Sequence, residues 1–279
     1  MNLILSAVAL YGIYVGALYV LQDKLVYRRD LAAEPNYPLP EGNERLELRT
    51  ADGETIVGNL VRARRPSRGL VIGFSGNGWN ADDCTTFIAH RLDDVDIIVF
   101  HFRGYAPSSG TPSEQALFAD ALQIYDTMVK GMAPERVYTF GFSLGSGVAA
   151  YLAANRPIAG QLLVTPFDSI EAIAKKRYVG VPVRYLIKNP FRSIEHLRGK
   201  PIPTAVILAS NDRIVPAERS AQLIESLVDP VLVETIPDST HVSIYDMVEI
   251  DHLLRRSLDA LEARALEQTA APAAAMAGS

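Results

Sequence analysis

The sequence predicts an α/β chain: a mostly parallel, doubly wound sheet opened by an antiparallel hairpin, with one apolar helix ahead of it. Three observations carry this expectation. From residue 70 onward, short apolar runs bounded by turn residues alternate with helical patterns, which places strands side by side with helices over both faces. Before that, two strand-patterned runs flank Asp52-Gly53, a hairpin signal. Earlier still, Leu3 to Leu21 contains no charged residue.

That first run is as long as the ~20 residues a helix needs to cross a bilayer core. Lys24, Arg28 and Arg29 follow it, whereas Met1-Asn2 offers only the α-amino group, so the charge bias predicts a retained single-pass anchor with the rest of the chain in the cytoplasm. Gly12 and Gly16 have the spacing that lets two such helices approach closely. A cleaved signal peptide competes with this reading, but it wants a basic n-region and an A-x-A-like site, and neither is present. A buried helix of a soluble protein would show one apolar face rather than a uniform one.

Asp30 to Gly42, with Pro35, Pro38 and Pro40, reads as an extended linker. Arg45–Arg49 and Thr55–Val61 form the hairpin strands, and the loop after them carries Arg62, Arg64, Arg65 and Arg68 as a solvated or lipid-facing basic cluster. The later strands are Leu70–Gly73, Ile97–Phe100, Val137–Phe140, Gln161–Thr165, Ala205–Ala209 and Leu232–Thr235. Thr111-Pro112-Ser113-Glu114 reads as a capping box with Pro at the first helical position, and Leu117, Ala121, Ile124, Tyr125 and Met128 form the buried stripe of the helix it starts. Further helices span Ala217–Leu227 and the chain after Tyr245. The expected organisation is an anchor over 1–22, a linker over 23–44, an α/β domain over 45–262 and a disordered Ala-rich tail over 263–279.

Composition narrows the function classes. Of 279 residues, 48% are hydrophobic, enough for a sizeable core. A net charge of −5 with no basic domain argues against a nucleic-acid partner. The one cysteine, Cys84, cannot form an intramolecular disulfide. Five histidines without an H-E-x-x-H or a Cys/His cluster argue against a zinc site, and the serine chemistry that Gly141–Gly145 points to requires no metal and no cofactor.

Chemistry concentrates at Gly141-Phe142-Ser143-Leu144-Gly145, between the run Val137–Phe140 and a small-residue helix. This is the G-x-S-x-G pattern, in which a sharp strand-to-helix turn exposes the serine hydroxyl above a helix N-terminus. A nucleophilic serine needs a base and a group to orient it, and in a doubly wound sheet both come from loops beyond the carboxyl ends of strands. Asp212 directly follows the strand Ala205–Ala209, and His241 follows Leu232–Thr235, so the order is Ser143, Asp212, His241. Asp212 also fits a turn or cap role, and His241 a helix-start role. His90 and His252 sit in helical patterns, His196 in an insert, and His101 precedes the serine; Asp238 lies too close in sequence to His241 to be its partner. An oxyanion needs two N–H donors. Leu144 is one; the loop Phe74–Asn80, with Asn77, supplies the other.

Gly76-Asn77-Gly78 with Asn80 resembles an H-G-N-x-x-N loop, and Phe102 to Glu114 an R-G-Y-G-x-S-x-G-x-P-S-E segment. With Gly141–Gly147, these stretches resemble the α/β-hydrolase superfamily, and within it the small membrane-anchored Bem-like hydrolases related to ABHD-type lysophospholipases and protein depalmitoylases. The resemblance implies an α/β-hydrolase fold with a short cap insert, Ser143, Asp212 and His241 as catalytic positions, and an acyl ester or thioester substrate from a lipid or an acylated protein. Ser75 stands where that group has His, Ala106 where it has Gly, and Asp238-Ser239-Thr240-His241 replaces G-x-G-H. A peptidase of the same fold and a membrane scaffold without turnover are the alternative functions. The insert Pro166–Pro203 carries Lys175, Lys176, Arg177, Arg184, Lys188, Arg192, Arg198 and Lys200 beside Tyr185, Leu186 and Ile187. It is expected to rest on anionic lipid or, failing that, to be a solvated basic face.

Overall fold

Strands buried on both faces lose the polar/apolar alternation that marks a half-exposed strand. In the computed structural model, which describes residues 2–277, β3 (Leu70–Phe74), β5 (Val137–Phe142) and β6 (Gly160–Val164) are buried at every position, while β1 (Glu44–Arg49) alternates. With β2 (Thr55–Val61), β4 (Asp96–Phe100), β7 (Pro203–Ala209) and β8 (Asp229–Ile236) they form one eight-stranded sheet, ordered β1-β2-β4-β3-β5-β6-β7-β8. β2 is antiparallel to both its neighbours, and every pairing from β4 to β8 is parallel. The expected α/β-hydrolase architecture is therefore present.

Helices cover both faces. On one side α3 (Glu114–Met132) and α4 (Leu144–Asn155) bring Leu117, Ile124 and Val148 against Ile72, Ile98 and Leu163. On the other, α2 (Ala81–Ala89) and the long C-terminal helix, which follows a 3-10 turn at Ser243–Asp246, bring Ile88, Leu254, Leu258 and Leu261 against Val71, Ile97, Phe140 and Leu162. The insert between β6 and β7 holds three short helices, α5 (Ile170–Arg177), α6 (Val183–Leu186) and α7 (Ser193–Leu197). Between β7 and β8 lies α8 (Ala217–Glu225), and the C-terminal helix is α9 (Val248–Ala277).

Chain direction reverses at β3. The chain leaves β3 through α2 to β4 on one side, then returns through α3 to β5 on the other. A crevice opens where the order reverses, at the carboxyl ends of β3 and β5. The Phe74–Asn80 loop and the Ser143 turn come from those two ends.

Four expectations need adjustment. The N-terminal helix α1 (Asn2–Val26) runs beyond residue 22; no residue of its apolar stretch from Leu3 is buried, and it is long and apolar enough to cross a membrane by length and composition. The linker is tied down rather than loose: the Asp83 carboxylate accepts from the backbone N–H groups of Asn36 and Tyr37, and Asn80 Nδ2 donates to the Ala32 carbonyl at 2.9 Å. The cap of α3 is Ser113, whose Oγ accepts from Ala116 N, not Thr111. Glu114, expected to close that box, accepts instead from Phe191 N at 2.9 Å. Finally, α9 continues to Ala277 through the segment expected to be disordered; residues 278–279 lie outside the described residues. Leu261 and Ala265 are buried, and Arg264 pairs with Asp229 at 2.9 Å, so packing and an ion pair extend an Ala-rich segment of high helix propensity.

A polar cluster is buried between β2, β4 and α2. His101 Nε2 and Asn59 Nδ2 lie 2.7 and 2.8 Å from Asp82 Oδ1, and Arg45 pairs with the same oxygen at 2.6 Å. Burial pushes the Asp82 pKa up, but these three partners outweigh burial and hold it well below the usual carboxylate range. A carboxyl whose folded pKa is depressed stabilises the fold above its unfolded value of about 3.9, and that contribution is lost as pH falls toward the folded value. Urea unfolding followed between about pH 5 and pH 2 is expected to show stability falling with acid, and Asp82→Asn to flatten part of that fall.

Candidate active site

Ser143 sits between β5 and α4 at φ 49° and ψ −116°, a conformation costing on the order of 1–3 kcal/mol for a non-glycine residue. Its surroundings hold it there. Ser143 N donates to Val164 O at 2.9 Å, and Ser146 Oγ donates to Ser143 O at 2.6 Å. The flanking glycines follow from close approach. A Cβ on Gly141 would lie 2.6 Å from Gly145 O and Ser146 Cα, and one on Gly145 would overlap the carbonyls of Phe74 and Ser75. Gly145→Ala must therefore push α4 away from the β3 loop. It is expected to lower the thermal midpoint by several degrees, measured by thermal melting.

The structure brings Ser143, Asp212 and His241 together. Ser143 Oγ lies 2.7 Å from His241 Nε2, and His241 Nδ1 lies 2.6 Å from Asp212 Oδ2. An ionised carboxylate only accepts, so Nδ1 carries the proton and Nε2 is free to accept from the serine hydroxyl. The other Asp212 oxygen, Oδ1, accepts from the N–H groups of Ile214 and Val215 at 2.8 Å each. The turn role and the orienting role of Asp212 thus coexist, one oxygen to each. The side chains of His241 and Asp212 are both nearly buried.

The two loops bearing His241 and Asp212 are joined to each other. Asn211 N donates to Ser239 O at 2.8 Å, and the buried Ser239 Oγ donates to Ile236 O at 2.7 Å. Asp238 adopts φ 52°, a conformation that a glycine adopts without penalty, and so stands in for the glycine of the G-x-G-H pattern. The other histidines lie elsewhere: His101 is bound to Asp82, His196 packs edge-on to Phe118 and Tyr151, and His90 and His252 line a surface groove with Arg91 and Asp251.

Leu144 is the first residue of α4, so its N–H has no partner within the helix. The Phe74–Asn80 loop lies against the elbow, where a Cβ on Gly76 would be 3.6 Å from Ser143 Cβ. Asn77 follows directly. Its side-chain Nδ2 donates to Val26 O at 3.0 Å and its carbonyl accepts from Tyr105 OH at 2.9 Å, while no hydrogen bond among the described residues uses its N–H. These braces escaped the reading of the sequence. They link the end of α1 and the Phe102–Glu114 segment to the loop, and only the Tyr105 position in the R-G-Y stretch pointed to them. The rest of that segment is scaffold, with Arg103 bound to Asp120 and Asp52. Trp79, at the far end of the loop, meets Phe87, Phe142 and Tyr245 at ring separations of 5.2, 5.4 and 4.9 Å. Among the described residues no group of three or more His, Cys, Asp or Glu side chains is placed to hold a metal ion.

A serine on a strand-to-helix elbow, with an aspartate and a histidine on the loops after β7 and β8, is the arrangement of an α/β-hydrolase-fold protein. The model of the alpha/beta hydrolase fold family matches residues 70–175, and the chain has the α/β-hydrolase fold. Among proteins of that fold the chain resembles the ABHD-type hydrolases. It is 29% identical over 145 residues to the zebrafish (Danio rerio) lysophosphatidylserine lipase ABHD12, a match covering 46% of this chain and 38% of that protein. An uncharacterized protein of Mycobacterium tuberculosis is 34% identical over 149 residues, 53% of each chain. The chain thus spans about half the length, or less, of these curated relatives. An alpha-beta hydrolase from Vibrio vulnificus superposes with a TM-score of 0.65 at 20% identity, covering 85% of this chain and 92% of that one.

Proposed function

We propose that this chain is a membrane-anchored serine hydrolase that cleaves carboxylic ester or thioester bonds of acyl substrates, in lipid or acylated protein, through an acyl-enzyme. The observation that carries the reading is the continuous hydrogen-bonded path from Ser143 Oγ through His241 to Asp212, at 2.7 and 2.6 Å. His241 Nε2 takes the hydroxyl proton as Ser143 Oγ attacks the acyl carbonyl, and Asp212 holds the imidazole orientation and stabilises the imidazolium. The Leu144 and Asn77 N–H groups donate to the oxyanion, each contributing about 3 kcal/mol. His241 then protonates the departing alcohol or thiol, and water enters by the same route to release the acid.

The membrane part of the reading rests on α1, as a retained anchor followed by Lys24, Arg28 and Arg29 that keeps the catalytic domain, residues 45–262, on the cytoplasmic side. The test is labelling of the full chain in detergent by a fluorophosphonate probe, paired with turnover of p-nitrophenyl esters, an acyl thioester and an aminoacyl p-nitroanilide. Labelling with ester and thioester cleavage is the expected result. Faster cleavage of the anilide makes it a peptidase, and absence of labelling removes the hydrolytic reading.

A further inference from the structure

The segment from Tyr178 to Ile187, joining α5 to the end of α6, has Arg184 as its only charged residue. Val179 and Tyr185 are 87% and 84% exposed, among the most exposed large apolar side chains outside α1. The segment does not project into open solvent away from α1. Tyr11 OH donates to Gly180 O at 2.7 Å; Gln22 Nε2 donates to Leu186 O at 3.1 Å, and Gln22 Oε1 accepts from Lys188 N at 2.8 Å. Asp23 binds Asn189 Nδ2 at 2.9 Å. Tyr11, Val15, Leu18 and Gln22 follow the spacing of one helix face, and Val15 and Leu18 are the only residues of the apolar run that are partly covered.

This side-by-side register fixes a depth. Tyr11 and Gln22 are about 16 Å apart along a helix axis at 1.5 Å per residue. Measured from Leu21, where the apolar run ends, Gly180 is level with a point about 15 Å up the helix. A bilayer whose core takes in Leu3–Leu21 must therefore also take in what lies beside it.

We propose that Tyr178–Ile187 is a second membrane-contacting element, which enters the lipid beside α1 with Val179 and Tyr185 facing the acyl chains. This rests on the reading of α1 as a membrane anchor and adds a second point of entry to it. Much of the backbone is satisfied internally: Val181, Val183, Tyr185 and Ile187 each donate their N–H within the segment, Pro182 has none to satisfy, and the Gly180 carbonyl accepts from Tyr11. Charge suits it too. Lys188 follows the segment and pairs with Asp23 at 3.5 Å, beside Lys24, the position of an interfacial cation, while Lys175 and Lys176 on the other side are neutralised by Glu171 and Glu218. The single Arg184 has a stem long enough to carry its charge back toward the level of Lys188.

The occupant is apolar lipid rather than an anionic surface. Much of the basic charge expected to meet anionic headgroups is already engaged: Lys176 with Glu218 and Arg192 with Glu171 at 2.6 Å each, Lys175 also with Glu171, and Lys200 with the Ala154 carbonyl.

The test uses the full chain in liposomes of phosphatidylcholine alone and of phosphatidylcholine with phosphatidylserine. Single cysteines at Val179, Tyr185, Ile13 and Lys130, all exposed, take an environment-sensitive fluorophore, while the wholly buried Cys84 gives the unlabelled background. Quenching by acyl-chain spin labels is compared with quenching by aqueous iodide. The expected result is that V179C and Y185C, like I13C, lose about half their emission to the lipid quencher in both lipid mixtures, while K130C responds only to iodide. If I13C is lipid-quenched but V179C and Y185C respond to iodide, the insertion is overturned and the anchor stands. Lipid quenching at 179 and 185 only when phosphatidylserine is present means adsorption through the basic side chains, and also overturns it. If I13C itself responds to iodide, the anchor reading falls and this proposal falls with it.

Discussion

Ser143→Ala is expected to lower kcat/KM for a p-nitrophenyl ester by about 10⁴-fold or more and to abolish fluorophosphonate labelling, with the thermal midpoint essentially unchanged. The reason is geometric. Among the described residues Ser143 Oγ bonds only to His241 Nε2, at 2.7 Å, while the backbone of the turn is held separately by Val164 and Ser146. Removing the oxygen takes away the nucleophile and leaves the elbow in place; it also relieves nothing of the φ 49° strain, which Ala shares. His241→Ala is expected to cost about as much, and the double variant little more than either alone, because base and nucleophile act as one unit. Additive losses in steady-state kinetics would mean that the two do not share a proton.

Asp212→Asn is expected to reduce kcat by about 10⁴-fold while leaving the fold intact, and Asp212→Ala to reduce kcat similarly but to destabilise as well. The two oxygens of Asp212 separate these effects. Oδ1 accepts from Ile214 and Val215 and shapes the loop after β7; Oδ2 faces His241 Nδ1 at 2.6 Å. An asparagine whose amide oxygen keeps the turn must present NH₂ to the imidazole, which forces the proton onto Nε2, where it meets the serine hydroxyl as a donor rather than an acceptor. The alanine variant loses both sets of bonds and leaves the N–H groups of Ile214 and Val215 without their acceptor. Urea unfolding beside pre-steady-state kinetics checks the pair: equal stability losses for Asn and Ala would mean that the turn does not depend on Oδ1.

The convergence of Ser143, Asp212 and His241 was legible because each announces itself locally. A serine between two close-packed glycines after a buried strand, an aspartate directly after another and a histidine after the next need only strand and turn chemistry to be noticed, and a parallel sheet gathers strand ends on one rim. Capping was less legible. Thr111-Pro112-Ser113-Glu114 satisfies the capping pattern at Thr111, yet Ser113 is the cap, because Glu114 has a better-placed partner in Phe191 N across the insert. The start of the C-terminal segment was less legible for a related reason: Ala-rich composition suits a free segment or a helix equally, while Asp229, which pairs with Arg264, and the core that covers Leu261 and Ala265 lie far away in sequence.

By itself, then, the sequence determined the apolar N-terminal run, the alternation of strands and helices, and the strand-end positions of Ser143, Asp212 and His241, since periodicity and turn chemistry act over a few residues at a time. Tertiary structure alone decided that the end of α1 would hold Asn77 through Val26, that Glu171 and Glu218 would take up the charge of the insert, and that Tyr178–Ile187 would lie along the apolar helix. Each of these joins segments distant in the chain, and which segments meet depends on strand order and on the reversal at β3, which no local pattern records.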